Sequence, residues 1–438
     1  MSKIHIEYTD KSVTPWGGML QMKELLDATK IREALKQLNL PTGKSNNTID
    51  PVTIVESFFV SVWIGCFKFS HTAVVRLDES LKQIFNWNRV ASGTTFGRFF
   101  QKFNIEENQR IFVSLGQWFF SQLKFNNFVL DVDSSVITRY GEQEGAHKGY
   151  NPKKKGRNSH HPLFAFVSDI KMVANCWLRS GDTSSSNNVI EFLKETFTIL
   201  GEKKVGLFRA DSGFFGDVIL KFIEEKNIAY VVAARMHQLM QDKISRIKTW
   251  NNFDGNFSVA EFEYKARGWD KPRRMVVVRQ SIALNPKSTG KKLKLFNDNP
   301  YYQNFRYHCF VTNQNLPAIE IWEQYKKRGD AENRIKELKE DFGAEGFNMD
   351  SFYATEAAMR MVTMSYNLMS LYRQLTHRNQ SQPKLPTLRF NCFAVGSWIV
   401  KKGNKTVLKM SVPQKRRQWY DGLMDKVASP KYPLSLQI

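Results

Sequence analysis

The hydrophobic pattern changes character three times along the chain. From residue 1 to about residue 120 the chain reads as mainly helical. MKELLDATKIREALKQLNL carries them from Met22 to Leu40 and stops at the breaker Pro41 to Gly43. Val52 to Phe69 is almost wholly apolar, with Asp50 placed to cap it and Pro51 at its first turn, which predicts a buried helix. In SGTTFGRFFQKF, Ser and Thr offer N-caps ahead of Phe96, Phe99, Phe100 and Phe103 at helical spacing. That segment predicts either one more core helix or the reading helix of a helix-turn-helix.

Near Phe125 the period shortens. FVLDVDSSVI, PLFAFVSDI and KMVANCWLR read as three strands. A helix with Val189, Phe192 and Leu193 inward follows, then the strand VGLFRAD, a helix from about Gly216 to Glu225, and the strand IAYVVAA. Three strands, helix, strand, helix, strand is the order of an RNase H-like sheet, although other α/β folds share such an order. From about Arg235 to Pro317, FSVAEFEY, RMVVVRQSIAL and FRYHCFVTN predict a β-rich insertion with polar loops. Leu316 to Glu345 then reads as one long charged helix, followed by a Met-rich helix from about Ala354 to Leu375 and a basic tail. The expected class is α/β: an RNase H-like catalytic core with a β-rich insertion and a mainly helical N-terminal domain. The expected parts are 1–120, helical, for DNA binding or dimerisation; 121–235, the first part of the core; 236–317, the insertion; 318–378, the second part of the core with its charged helix; and 379–438, basic. No repeat of 20 to 50 residues is visible.

Charge narrows the partners. Among 438 residues, 64 Lys and Arg oppose 42 Asp and Glu, a net charge of +22. Such an excess points to a polyanion, nucleic acid foremost. A membrane surface is a poorer match, since no long basic amphipathic helix accompanies the charge. The longest uncharged apolar run, Ser57 to Phe67, is too short for the ~20 residues of a membrane span. The start, MSKIHIEYTD, shows no secretory pattern. Cys66, Cys176, Cys309 and Cys392 form no CxxC pair, which fits a reducing cytoplasm and excludes a zinc ribbon. The absence of GxxxxGK[ST] argues against a P-loop nucleotidase.

Three acidic positions stand where strands end. Asp131 and Asp133 alternate along one strand and share a face. Asp211 closes VGLFRAD before Ser-Gly, at the sheet edge where α/β folds usually take ligands. Taken singly, each reads as a solvated strand end or a helix cap. Gathered together they would repel, and a divalent cation would remove that cost. Oxygen donors favour Mg²⁺ or Mn²⁺ over zinc. In the charged helix Tyr325, Arg328, Glu332 and Lys339 are spaced by three, four and seven residues. At about 100° per residue they fall within about 60° of one another on the helix surface, spread over about 21 Å. Ala331, Ile335, Leu338 and Phe342 form an apolar stripe beside them. The alternative is a solvated face with ordinary ion pairs, such as Glu332 with Lys336.

Tyr-x2-Arg-x3-Glu-x6-Lys resembles the signature of bacterial insertion-sequence DDE transposases. DVDSS around Asp133 and RADSGF around Asp211 are similar to the same family. GAHKGYNPKKKGRNSHHPLFAF, Gly145 to Phe166, resembles the loop and second strand of one subgroup, DDE transposase group 1. The resemblance runs from about residue 5 to 410. It implies a metal-binding triad at Asp133, Asp211 and Glu332, with Asp131 as the other choice for the first aspartate. It further implies two Mg²⁺ or Mn²⁺ ions about 4 Å apart, phosphodiester cleavage and strand transfer. DNA hairpin intermediates, which need no Ser or Tyr nucleophile, are implied as well. The partners implied are double-stranded DNA, as the element's terminal inverted repeats and target, and a second copy of the chain in a synaptic complex. The expected location is the bacterial cytoplasm, at the nucleoid.

DNA contacts are expected from Tyr325, Arg328 and Lys339 on the charged helix. The loop Lys153, Lys154, Lys155 and Arg157 reads equally as a phosphate clamp or a solvated turn. His160 and His161 point to opposite faces of a strand and read as structural. Lys415, Arg416 and Arg417 should add non-specific DNA affinity. The resemblance also implies that an aromatic in the insertion stacks on an extruded base. Trp269, flanked by Arg273 and Arg274, is one candidate and Trp250 the other; a Trp packed over the hairpin base is the competing reading. Two rivals to a transposase are a catalytically silent DNA-binding protein and an RNase H-like nuclease that only hydrolyses.

Overall fold

The computed structural model describes residues 4–293, 300–378, 382–430 and 432–436, so the expected boundary at 379 lies outside the described residues. The chain forms two compact units. One gathers residues 1–124, 142–144 and 336–436, and the other holds 125–141 and 145–335.

The first unit is mostly helical. Asp50 accepts a hydrogen bond from the Thr53 amide and Pro51 occupies the first turn, so the helix Pro51–Ile64 starts where the sequence places it. Twelve of its fourteen residues are buried. Its neighbours include the helix Phe352–Thr376, and the Trp63 indole donates to the Ser365 carbonyl at 3.0 Å. Phe352–Thr376 hides even Arg373, whose guanidinium meets the equally buried Glu337 at 2.6 Å. The segment from Met22 to Leu40 is not one helix. Lys30 adopts φ 57° and splits it into Leu20–Thr29 and Ile31–Gln37. Ser92 caps Gly93–Phe100 through the Thr95 amide, and Phe96, Phe99 and Phe100 are buried. Among the described residues no single helix is long and apolar enough to cross a membrane.

The second unit is built on a nine-stranded sheet. In chain order the strands are β1 Phe128–Ser134, β2 Leu163–Val167, β3 Met172–Trp177, β4 Val205–Ala210, β5 Ala229–Ala233, β6 Asn251–Asn252, β7 Phe257–Tyr264, β8 Arg273–Ser281 and β9 Phe305–Thr312. Their spatial order is β6-β7-β8-β9-β5-β4-β1-β2-β3. β2 is antiparallel to β1 and to β3, whereas β4 runs parallel to β1 and to β5. The helices Val189–Leu200 and Asp217–Glu225 make the crossovers that parallel strands need. The β-rich segment is no separate body. β9 pairs antiparallel with β5, so its strands extend the sheet that carries β1 and β4. Val231, Val276, Val278 and Phe310 make an apolar face there, covered by Ile321 and Trp322 of the helix Ala318–Lys326.

Candidate active site

Asp131 and Asp133 share a face of β1, yet their surroundings differ. In the parallel register Asp131 faces Arg209 of β4. The guanidinium grips both carboxylate oxygens at 2.7 Å, with the two side chains 3 % and 0 % exposed. Arg209 also donates to the Gln324 carbonyl at 2.6 Å, and the Ser168 hydroxyl donates to Asp131. Both carboxylate oxygens of Asp131 are thereby occupied.

Asp133, two residues nearer the strand end, meets Arg328 at 3.0 Å. Burial pushes its carboxyl up to about 7; Arg328 pulls it down, Asp211 and Glu332 push it up again, and the Ser134 amide lowers it. Arg328 reaches this place because the long charged helix breaks. Ala318–Lys326 ends, Lys327 and Arg328 form a turn, and Gly329–Glu340 begins. The turn carries i to i+3 bonds, from the Arg328 amide to Tyr325 and from the Ala331 amide to Arg328, both at 2.9 Å. Gly329, a poor helix former, follows it. The guanidinium also meets Glu332 at 3.1 Å and so stands between two carboxylates, while its Nε has no hydrogen-bond partner among the described residues. The Glu332 side chain is 65 % exposed. Tyr325 packs on Phe310 with ring centres 4.5 Å apart, and burial pushes its phenol up to about 12.

Asp211 follows β4 and caps the turn Ser212–Phe214, accepting from the Gly213 amide at 2.8 Å. A β-carbon on Gly213 would lie 2.9 Å from Asp211 Oδ1 and 2.7 Å from Ser185 Cβ, so only glycine fits. Ser185 shares a 2.9 Å hydrogen bond with Ser134, and Arg179 ties down the carbonyls of Ser184, Ser185 and Asn187. Arg235, just beyond β5, donates to the carbonyls of Ser212 and Gly213 at 2.9 and 3.1 Å. Sequence reasoning missed Arg209, Arg235 and Ser185. Arg235 carried a visible signal, a cation directly after a strand at the same sheet edge as Asp211. Arg209 and Ser185 become legible only once the strand register and loop path are known.

The other expected residues are distributed as follows. Lys153, Lys154, Lys155 and Arg157 are all exposed, and Lys154 and Arg157 lie over the Tyr140 ring. Lys339 pairs with Glu345 at 2.6 Å. Arg273 does not face solvent: its 2 % exposed side chain is held by Asp217, Glu224 and Asp270. Arg274 pairs with Glu261 at 2.7 Å and donates to the Gln314 carbonyl. Trp269 is 9 % exposed, packed near Phe215 and Tyr264 with Arg273 over its ring. Trp250 is half-buried under Arg279, whereas Phe253 is exposed beside β6. His160 and His161 are buried, and the His160 ring accepts from Arg139 Nε. Lys415, Arg416 and Arg417 are exposed.

Asp133, Asp211 and Glu332 share one electrostatic field, and their oxygen donors suit a hard divalent ion. The cationic place between Asp133 and Glu332 is taken here by Arg328. Among the described residues no three His, Cys, Asp or Glu side chains stand close enough, as placed, to hold a metal ion.

Comparison with known proteins adds three findings. The family model described as transposase DDE domain group 1 matches residues 1–429. No curated protein matches the sequence. Among solved structures, the chain is similar to a piggyBac transposase in a synaptic complex with hairpin DNA, at 10 % identity and a TM-score of 0.44, over 86 % of this chain and 78 % of that one.

Proposed function

The chain belongs to the transposase DDE domain group 1 family, and from that premise we propose that it cuts and joins the DNA ends of its own insertion sequence. We read β1 to β5 as an RNase H-like core, on the strand order β3-β2-β1-β4-β5 with only β2 reversed. The observation that carries the reading is the convergence of Asp133, Asp211 and Glu332 on one field around Arg328. A silent DNA-binding relative would have no need to keep Asp211 and Glu332 both acting against the Asp133 carboxyl.

In this reading Asp133, Asp211 and Glu332 hold Mg²⁺ or Mn²⁺, which when bound neutralise the phosphodiester and activate the attacking oxygen. Asp133 is the first ligand and Asp131 a structural residue, because Arg209 already occupies both Asp131 oxygens. Arg328 moves from the carboxylates to a DNA phosphate, for which its planar donors and unpartnered Nε are suited. Lys153, Lys154, Lys155, Arg157, Tyr325 and Lys339 extend the DNA contact. Arg273 is a brace for the sheet rather than a phosphate ligand, since three carboxylates enclose it. An extruded base stacks on Phe253 more readily than on Trp269, whose ring is already covered. Two ends must be held together for joining, so the working form is a dimer on DNA in the bacterial cytoplasm.

The test is incubation of the protein with end DNA, a target plasmid and Mg²⁺. Nicked, hairpin and joined products are expected, and Asp133→Asn, Asp211→Asn and Glu332→Gln should each lose all of them while still binding the ends. Cleavage without joining would favour a hydrolytic nuclease. Activity that survives thorough chelation would refute the metal-dependent reading.

A further inference from the structure

The first unit holds a basic cavity that the proposed reaction leaves unused. It measures about 350 Å³ and lies between the loop that follows Leu40 and the helix Gly93–Phe100. The helix and the residues just past it contribute Thr95, Arg98, Phe99 and Lys102, which fall at i, i+3, i+4 and i+7 on one side. Phe99 anchors that side to the core, while Arg98 and Lys102 are exposed. Lys44 and Arg89 line the cavity too, and none of the lining residues is acidic. Asp50, beside the loop, is turned to the Thr53 amide and hydroxyl as a helix cap.

Arg89 is fixed by the Asn47 side chain and carbonyl. Among the described residues, the side chains of Lys44, Arg98 and Lys102 have no hydrogen-bond or ion-pair partner. Four cations around one hollow repel one another, and an anion in the hollow relieves that. Thr94 and Gln101 are exposed on the outer side of the same segment, so an extended polar ligand would meet further donors there. No exposed large apolar side chain lines the cavity, which sets it apart from a membrane-binding surface.

We propose that this cavity seats a backbone phosphate of duplex DNA, with Lys44, Arg98 and Lys102 as its ligands and Arg89 as a fixed fourth charge. The inference rests on the reading that DNA is the substrate, and it gives the helix Gly93–Phe100 the core role raised by the sequence together with a DNA contact that is not a reading one. Its phenylalanines build the core, and its outer face lies against the duplex. The contact is with phosphate and therefore positions DNA without reading sequence.

The experiment measures binding of the full chain to a labelled duplex from the DNA flanking the reading frame, between 50 and 200 mM NaCl. The triple variant Lys44→Ala, Arg98→Ala, Lys102→Ala is compared with wild type. Loss of one neutralised phosphate lowers the log–log salt slope by about 0.9, so over this range the variant should lose about 3.5-fold less affinity than wild type. Arg98→Glu alone should weaken binding across all duplex sequences, and it decides the matter if the triple variant melts early. Wild-type affinity and slope in both variants would overturn the inference and leave the proposed function standing. So would variants that lose only binding to phosphatidylserine vesicles. Wild-type protein that binds no duplex at all would overturn both.

Discussion

Replacing Asp131 with Asn separates the two aspartates of β1 by stability rather than by activity. Asn keeps the shape of the side chain and removes its charge. Arg209, 3 % exposed, would then be left with neutral acceptors alone (the Gln324 carbonyl, the Ser168 hydroxyl and the new amide oxygen) and no counter-ion. Breaking one side of such a buried pair costs about 3–5 kcal/mol. For a unit of this size each kcal/mol moves the melting temperature by roughly 2–4 °C, so a fall of about 6–20 °C is expected. Asp133→Asn should cost less, because Asp211 and Glu332 remain to offset Arg328 and no longer act against a carboxylate at position 133. Calorimetry of metal-free protein at pH 7 measures both. The double variant Asp131→Leu, Arg209→Met supplies the control: with neither charge left buried, most of the loss should be recovered. If Asp131→Asn melted like wild type and abolished cleavage while Asp133→Asn cleaved normally, the assignment of the two residues would be reversed.

Three further outcomes are expected. Burial pushes Glu224 up, but hydrogen bonds from Arg273, Lys271 and Tyr230 outweigh it and hold the carboxyl at about 2. Its stabilisation should be full above the unfolded value near 4.5 and fade as the pH falls towards 2; a Glu224→Gln melting deficit that is the same at pH 7 and pH 3 would contradict this. Gly213→Ala should cut cleavage and leave DNA binding intact, since the new methyl displaces either Asp211 or Ser185; unimpaired cleavage would show that this approach is not needed. Trp269→Ala should cost about 3–5 kcal/mol in a urea or thermal melt, with nicking and hairpin formation falling together, whereas Phe253→Ala should spare stability and nicking and lose hairpins; a stable Trp269→Ala protein that nicks without forming hairpins would return the stacking role to Trp269.

Much of the local structure could be read in advance because its causes are local. Asp50 and Ser92 cap the helices they were expected to cap, and β1 to β5 fall on the apolar runs that predicted them. The places of Asp131, Asp133 and Asp211 were legible too, since alternation and strand ends set them. What escaped depends on distant parts of the chain. The break at Lys327 and Arg328 is a tertiary event: the local residues favour one helix, and the turn swings Arg328 onto Asp133. The pairing of β9 with β5, which merges the β-rich segment into the sheet, is set by neighbours about eighty residues apart. Arg273 looked like a surface cation because its partners Asp217 and Glu224 lie on another element.

The division of the first unit between two distant stretches of chain has a consequence during synthesis. Trp63 and Ser365, joined by a hydrogen bond, are 302 residues apart. At about 5–20 residues per second, Pro51–Ile64 waits roughly 15–60 s for Phe352–Thr376 to leave the ribosome. During that interval this almost wholly buried helix lacks one of its neighbours, and the Trp63 indole lacks the Ser365 carbonyl that it meets in the finished fold. The residues between include the whole nine-stranded sheet, which has all its strands before the first unit can close. The newborn protein therefore carries a sticky, unfinished half for much of its production, and holdase chaperones that recognise aromatic-rich segments should bind nascent chains up to residue 351 and release those that extend past 376.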